Sequence, residues 1–286
     1  MTNLDADDRP RDWMKRSTIE GFVALIVGAA SGIGAACART FAANGGLVVA
    51  ADRNGEGAEA TAEAIRHAGQ AAIALTLDVG RKQDIDAAVA ATIARYGRLD
   101  VLINAAAAIE PAMLEDADLE VWDAAFRVNV RGALQLALAC LPHLKKSVSP
   151  AIVHVGSLAG VAGYARSGSY GPSKAALMTL SRQMALEWAI HGIRVNVVVP
   201  GTVDTPAVRQ LSDEAIATRK DQIPFGRLSH ASEQGDMAVF LASPVASFIT
   251  GQCFVVDGGF SLNIYPQPMG MRETLRQEAV RLGHGG

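Results

Sequence analysis

Cysteine is scarce in this chain of 286 residues, and the three that occur are Cys37, Cys140 and Cys253. Because their number is odd, they lie far apart and no C-x-x-C motif occurs, they form neither a disulfide framework nor a zinc site. We therefore expect a reducing compartment, the cytoplasm. The six histidines form no metal-binding cluster either, so no metal is predicted. One of them, His154, lies within a predicted strand, which favours a structural role.

Long apolar runs and blocks of basic residues are also absent. The longest clean apolar run near the start, 22–27, is far shorter than the roughly 18 residues that a membrane span needs. Residues 1–20 hold five acidic residues and no apolar core of the kind found in signal peptides. Lys+Arg 26 against Asp+Glu 29 give a net charge of −3 without a Lys/Arg block, which argues against a nucleic-acid binder. We expect neither a membrane nor a nucleic acid as a partner.

What the chain does contain is a repeated alternation of apolar, β-branched stretches with alanine-rich helical ones. The predicted strands cover 22–27, 47–52, 72–78, 99–104, 151–155, 193–199 and 252–257. The predicted helices lie near 31–44, 56–68, 82–96, 118–141, 169–190 and 232–242. Several strands are apolar on both faces, as expected when helices cover both sides of a parallel sheet. The pattern predicts an α/β fold, a doubly wound sheet of about seven mostly parallel strands with helices on both faces.

No low-complexity linker divides the chain. We interpret it as an N-terminal extension (1–20), a single domain (21–260) and a C-terminal tail (261–286). Residues 201–231 interrupt the alternation with two glycines and two prolines around a short helical piece, 213–219. Long loops of this kind are often lids or binding loops. The tail contains one amphipathic stretch, 271–282, which we expect to help close an active site.

The first strand leads into a glycine-rich turn, VGAASGIGAA, in which Gly28, Gly32 and Gly34 precede a predicted helix. Glycine allows a tight turn and lets backbone N–H groups approach a pyrophosphate at the positive end of the helix. With a strand before it and a helix after it, the turn predicts a dinucleotide-binding site.

The second strand ends in Asp52, eighteen residues after Gly34. A carboxylate at this place can accept hydrogen bonds from both adenosine ribose hydroxyls of NAD, and it repels the 2′-phosphate of NADP. Arg53 follows directly and could accommodate that phosphate, whereas Ala30 and Ser31 in the glycine turn add no positive charge. On balance the sequence favours NAD over NADP.

A third signal is SYGPSK, in which Tyr170 and Lys174 are four residues apart. On a helix this spacing places both side chains on one face. Pro172 lies between them, which is tolerable only if the helix has just begun. Ser157 lies thirteen residues before Tyr170, just after a predicted strand. A hydroxyl there opens into the crevice where α/β sheets bind ligands.

With these motifs in place, residues 21–260 resemble a short-chain dehydrogenase/reductase of the compact, single-domain branch. Further matching positions are Asp78-Val79, Asn104 in NAAA, Asn129 in RVNVRG, PGTVDT (200–205) and the ending IPFGRLS…FLASPVASFITGQCFVVDGG. The chain also departs from the family pattern. Val27 replaces a threonine, and Ala105 and Ala107 replace the second asparagine and the glycine of N-N-A-G. We expect altered local packing and retained chemistry.

The resemblance implies a Rossmann-type fold and a role for each catalytic residue. Tyr170 is the general acid/base, Lys174 holds the nicotinamide ribose, and Ser157 hydrogen-bonds the substrate oxygen. A charge about 4 Å away is worth roughly 4 kcal/mol, so we expect Lys174 to lower the pKa of Tyr170 by about three units. Asn129 keeps a helix backbone open for a water-mediated proton path, or else is an ordinary buried amide bonded to backbone.

The same resemblance implies a set of cofactor contacts spread over the ends of several strands. They are Gly28, Ser31, Gly32, Ile33, Gly34, Asp52, Arg53, Asp78, Val79, Asn104, Ala105, Ala106, Tyr170, Lys174, Pro200, Val203 and Thr205.

The predicted function is an NAD-dependent oxidoreductase that interconverts a secondary alcohol and a ketone. One alternative is an NADPH-dependent 3-oxoacyl-type reductase, which Asp52 disfavours. The other is a catalytically silent dinucleotide-binding sensor, which would not need the complete set of catalytic residues. We expect a substrate pocket lined by 106–110, 157–165 and 203–225 and an apolar substrate body. The apolar helices 118–141 and 169–190, together with the resemblance, predict a homotetramer.

Overall fold

The computed structural model of the chain describes residues 12–262 and, beyond them, positions 270, 273, 274, 277, 278 and 281. The first eleven residues of the predicted N-terminal extension and most of the predicted helix 271–282 therefore lie outside the described residues.

Seven strands form one sheet in which every neighbouring pair is parallel. In chain order the strands are β1 (Val23–Val27), β2 (Leu47–Asp52), β3 (Ala72–Thr76), β4 (Val101–Asn104), β5 (Ala151–Val155), β6 (Arg194–Pro200), β7 (Val203–Asp204), β8 (Ser229–His230) and β9 (Cys253–Val256). The sheet has the order β3-β2-β1-β4-β5-β6-β9, and β7 and β8 form a separate pair. The predicted doubly wound sheet is confirmed, with some strands shorter than predicted.

Helices cover both faces of this sheet. They are α1 (Trp13–Ser17), α2 (Gly32–Ala43), α3 (Gly55–His67), α4 (Lys82–Tyr96), α5 (Leu119–Phe126), α6 (Ala133–Leu144), α7 (Tyr170–Trp188), α8 (Asp213–Gln222) and α9 (Ala231–Ala242). Ile26 of β1 packs in a core cluster with α2, α3 and α9. Its neighbour Leu25 packs in a second cluster with α4, α6 and α7. Because successive strand residues face opposite layers, buried strands are apolar at every position.

The predicted helix 118–141 is interrupted. A wider π-helical turn, Arg127–Gly132, separates α5 from α6. Inside it, the Asn129 side chain is bonded to the backbone of Ala108 rather than exposed to solvent. Gly132 lies so close to the loop after β3 that a Cβ would come within 2.7 Å of the Val79 carbonyl oxygen. The turn is therefore held by contacts with distant loops, which helical periodicity alone does not reveal.

The segment 201–231 also has more order than predicted. Its two ends meet in the short parallel ladder of β7 and β8, with Val203 opposite Ser229. The predicted helical piece 213–219 is the longer helix α8, Asp213–Gln222. Residues 203–230 thus leave the body of the protein and return to the same place, beside the carboxyl ends of β6 and β9.

The described part of the chain has no features of a membrane span or of a metal centre. None of its helices is long and apolar enough to cross a membrane. In the same residues, no three His, Cys, Asp or Glu side chains lie together as ligands for a metal ion.

Candidate active site

The glycine turn after β1 is packed so tightly that side chains are excluded. Gly28 has a φ of 83°, and a Cβ there would lie 2.7 Å from the Ala105 carbonyl carbon. A Cβ on Gly34 would overlap the Gly28 carbonyl oxygen. On the outer side, a Cβ on Gly32 would lie 3.3 Å from the Thr205 methyl carbon. The turn, the end of β4 and the segment after β6 therefore meet around one narrow crevice.

Helix α2 begins inside this turn with its first N–H groups free of intrahelical acceptors, as in any helix. Its N-cap residue, Ser31, makes no side-chain capping bond, so these N–H groups have no partner from the cap. The free N–H groups and the helix dipole favour an anion at this place. Because close backbone packing leaves no room for side chains at Gly28 and Gly34, the crevice fits the pyrophosphate of a dinucleotide.

Asp52 fixes the geometry at the end of β2. One of its carboxylate oxygens accepts a hydrogen bond from the Ala30 N–H at 3.1 Å, and the other accepts from the Asn54 N–H at 2.9 Å. The carboxylate is thereby held against the glycine turn. Arg53 is exposed. Asp52 is therefore the positioned charge at this end of the crevice, and its oxygens retain lone pairs for ribose hydroxyls.

The ends of β3 and β4 complete the predicted adenosine side. Asp78 accepts a hydrogen bond from the Gly80 N–H at 2.8 Å, and Val79 is buried. Asn104 accepts one from the Ala106 N–H at 3.2 Å. The alanines that follow Asn104 have negative φ, so this turn does not need the glycine that Ala107 replaces. This departure from the family pattern leaves the backbone unstrained.

Helix α7 begins at Tyr170, so Pro172 falls in its first turn, where it is tolerated. The Tyr170 side chain lies near Ser157, the residue that follows β5 by two positions, and Ser157 favours the ionised form of the phenol. Lys174 is buried, and its Nζ donates to the Val155 carbonyl oxygen at 2.7 Å. The same Nζ lies 5.7 Å from the centroid of the Tyr170 ring. Three of the four predicted catalytic residues are thus brought together at the carboxyl end of β5.

The electrostatics of these residues differ from the sequence-based expectation. Burial raises the pKa of Tyr170, and the nearby Ser157 side chain lowers it by less. Burial also lowers the pKa of Lys174 to about 8. The expected lowering of the Tyr170 pKa by Lys174 is therefore wrong for the protein's own groups. The physical reason is that the ammonium is bonded to the Val155 carbonyl and does not contact the phenol oxygen.

Asn129, the fourth predicted catalytic residue, joins two parts of the site. Its Oδ1 accepts a hydrogen bond from the Ala108 N–H at 2.7 Å, and its Nδ2 donates to the Ala108 carbonyl at 2.9 Å. Nδ2 also donates to Ser173 Oγ at 2.9 Å. Both sequence-based interpretations are compatible with this geometry, since a buried amide bonded to backbone lies within a widened helical turn. The sequence places Ala108 in the predicted pocket segment 106–110 but does not predict its bonds to Asn129, because backbone partners leave no signal in the residue type.

His154 is a polar residue close to the site without a predicted role there. It is fully buried opposite Asn104 in the sheet, with 3.5 Å between its Nδ1 and Asn104 Nδ2. Burial and the positive charge of Lys174 lower the pKa of His154 to about 3. His154 is consequently neutral at physiological pH, and Lys174 is the charged group beneath Tyr170.

Comparison with known proteins agrees with this geometry. The sequence matches the family model described as enoyl-(acyl carrier protein) reductase over residues 28–261. Cis-4-hydroxycyclohexanecarboxylate dehydrogenase of Sinomonas cyclohexanicum is 40% identical over 84% of this chain and 96% of its own length. 2,5-Dichloro-2,5-cyclohexadiene-1,4-diol dehydrogenase of Sphingobium indicum is 37% identical over 86% of this chain and 98% of its own. The chain belongs to the short-chain dehydrogenase/reductase family.

A solved structure supports the same conclusion. A dehydrogenase/reductase from Sinorhizobium meliloti 1021 superposes with a TM-score of 0.82 at 30% identity, covering 86% of this chain and 98% of that structure. The predicted family and the predicted interconversion of alcohols and ketones are confirmed. Family membership also implies a nicotinamide dinucleotide as cofactor, which the glycine crevice and Asp52 fit.

Proposed function

We propose that this short-chain dehydrogenase/reductase is an NAD-dependent dehydrogenase of secondary alcohols, with Tyr170 as its general acid/base. The observation that carries the proposal is that helix α7 places the Tyr170 hydroxyl near that of Ser157, with the Nζ of the buried Lys174 5.7 Å from the Tyr170 ring. Both hydroxyls stand at the carboxyl end of the sheet, in the crevice that begins at the glycine turn. Two hydroxyls that close together can bind one substrate oxygen between them.

In the oxidation direction, Ser157 and Tyr170 hold the substrate hydroxyl, and Tyr170 receives its proton. A nicotinamide dinucleotide held by the glycine turn and Asp52 would supply the hydride acceptor. Burial opposes the phenolate form of Tyr170, so positive charge close by is required for it to act as a base near neutral pH. Lys174 alone does not supply it, since its ammonium is bonded to the Val155 carbonyl, and the positive charge of a bound oxidised nicotinamide would add to that of Lys174. Asn129 keeps the loop of Ala108 and the start of α7 together, and thereby fixes the wall opposite Ser157.

The preference for NAD rests on Asp52. Its carboxylate is held in place by two backbone N–H groups at the end of the crevice where the adenosine ribose of a dinucleotide lies. A fixed negative charge there repels a 2′-phosphate, whereas a mobile side chain could turn away. Arg53 is exposed and is not held in this way. The geometry therefore favours the NAD-dependent dehydrogenase over an NADPH-dependent 3-oxoacyl reductase.

The substrate body is proposed to be apolar and cyclic. Large apolar side chains are exposed in the three loops that surround Ser157 and Tyr170, namely Ile109, Val161, Tyr164 and Phe225. An apolar pocket wall is typical of sites that bind small organic ligands. The relatives at 40% and 37% identity are named for alcohols on six-membered rings, which supports a ring of this size here.

The proposal is tested by measuring turnover of a panel of cyclic and linear secondary alcohols with NAD⁺ and NADP⁺. We expect a higher kcat/KM with NAD⁺ and a preference for cyclic alcohols. Efficient reduction of 3-oxoacyl thioesters with NADPH, without alcohol oxidation by NAD⁺, would favour the reductase. Binding of NAD⁺ without turnover of any alcohol or ketone would favour the sensor.

We further propose that residues 21–260 form the catalytic domain, that the protein assembles as a homotetramer, and that the tail helps to close the site. Leu186 and Ile190, at the end of α7 and just beyond it, are strongly exposed, and so is Phe248 before the edge strand β9. Such surface is typical of subunit interfaces.

The tail lies near the loop beside the active site. The Gly270 N–H donates to the Asp221 carboxylate of α8 at 3.2 Å, which brings the tail to the segment 203–230. Sedimentation of the full chain tests the homotetramer, and a chain ending at Leu262 tests the tail. An unchanged oligomeric state and an unchanged KM in the shortened chain would exclude a role for the tail.

A further inference from the structure

Arg166 has an unusual backbone in the loop that joins Ser157 to Tyr170. Its φ is 65°, and among the described residues it is the only one other than glycine with a positive φ. This left-handed conformation is unfavourable for a residue with a Cβ. A strained residue beside an active site calls for a functional explanation when its side chain has no structural one.

The neighbours of Arg166 impose this conformation. The Ser167 N–H donates to the Tyr164 carbonyl at 3.1 Å, and the Tyr170 N–H donates to the Ser167 carbonyl at 2.9 Å. Ser167 also forms an isolated bridge with Ala112 in the loop after β4. The turn is therefore fixed on both sides of Arg166 by backbone bonds. A glycine at position 166 would form the same turn with less strain.

The side chain of Arg166 contributes nothing to this turn. It is exposed, and the described residues offer it no hydrogen bond or ion pair. Glu110 lies in the facing loop, where its carbonyl oxygen would be 2.6 Å from a Cβ on Gly168. Glu110 makes no ion pair with Arg166. A guanidinium, which stays charged at any physiological pH, is thus left unpaired four residues before Tyr170.

From this juxtaposition we propose that Arg166 binds a carboxylate on the substrate. The substrate class is then a cyclic secondary alcohol that carries a carboxylate group on the far side of the ring from the reacting carbon. Ser157 and Tyr170 hold the hydroxyl end, and the guanidinium binds the carboxylate, with which it can form two parallel hydrogen bonds. This inference rests on the proposed alcohol dehydrogenase function and makes its substrate more specific.

The test compares hydroxycyclohexanecarboxylate isomers with their methyl esters as substrates with NAD⁺. Acid and ester share the ring and the reacting hydroxyl, so the ratio of their kcat/KM values isolates the recognition of the charge. We expect the wild-type enzyme to prefer the acid by about tenfold or more, as a charged hydrogen-bonded pair allows. In Arg166→Gly this ratio should fall by about the same factor, and in Arg166→Lys it should fall less.

Two further measurements separate recognition from folding. Arg166→Gly should melt at the same temperature as the wild type or higher, because the left-handed turn suits glycine. Glu110→Gln, which removes the opposing charge, should raise the acid-to-ester ratio. An acid-to-ester ratio that is the same in the wild type and Arg166→Gly overturns the inference and leaves the alcohol dehydrogenase standing. If the wild-type enzyme turns over neither the acid nor the ester, the inference about Arg166 is overturned as well. The proposed alcohol dehydrogenase function is decided separately, by the wider panel of alcohols.

Discussion

The two sides of the crevice are built on different principles. On the cofactor side, backbone meets backbone, and a Cβ on Gly34 would overlap the Gly28 carbonyl. On the substrate side, large apolar side chains are exposed, and a Cβ on Gly163 would have no atom within 4 Å, although Gly168, closer to Tyr170, is packed against the Glu110 carbonyl. The cofactor side therefore tolerates almost no change of shape. The substrate side can change its side chains while the chemistry of Tyr170 stays in place.

The largest effect should come from adding one methyl group on the cofactor side. The same addition on the substrate side serves as its control. Gly34→Ala forces the glycine turn away from α2, and we expect a loss of several kcal/mol in the free energy of unfolding together with loss of NAD binding. Gly163→Ala is the matched control and should stay within about 0.5 kcal/mol of the wild type. Denaturant titration and NAD titration measure both. Equal losses in the two variants would remove the distinction between the two sides.

The next effect concerns Lys174, the buried charge between the two sides. Burial lowers the pKa of Lys174 from the ordinary 10.5 to about 8 in the folded protein. Between these two pH values Lys174 is therefore protonated in the unfolded chain and largely deprotonated in the folded protein. The free energy of unfolding should therefore rise with pH from about 8 to about 10.5, by on the order of 3 kcal/mol relative to Lys174→Met. Urea titrations of both proteins across this range check the sign. Parallel curves would show that Lys174 is not desolvated in this way.

A smaller effect is expected at Asp52, which lies on the cofactor side and should affect only the choice between NAD and NADP. Asp52→Ala, with Arg53 retained, removes the fixed charge and should narrow the preference for NAD over NADP by about tenfold, the size of one lost charge-assisted contact. The ratio of kcat/KM for the two cofactors measures it. A wild-type enzyme that prefers NADP would contradict the role given to this carboxylate.

The sequence predicts the strand, the glycine turn and the helix that follows it because their determinants are local. A strand buried on both faces, three glycines and Asp52 follow one another along the chain. This combination is typical of a dinucleotide-binding turn and uncommon elsewhere. The substrate side depends on contacts between distant loops. The bonds of Asn129 to Ala108 and the bridge from Ser167 to Ala112 involve backbone atoms, which any residue type supplies. For the same reason the π-helical turn and the conformation of Arg166 become visible only in the folded structure.

The central claim, that Tyr170 is the general acid/base of an alcohol dehydrogenase, is tested most directly by Tyr170→Phe. Only the hydroxyl is removed, so the variant should bind NAD with an unchanged Kd while kcat falls about 100-fold to 10,000-fold. Tyr96→Phe, which removes a hydroxyl at the end of α4 remote from the crevice, is the matched control and should keep its kcat. A Tyr170→Phe enzyme that binds NAD and turns over within a few-fold of the wild-type rate would contradict the account.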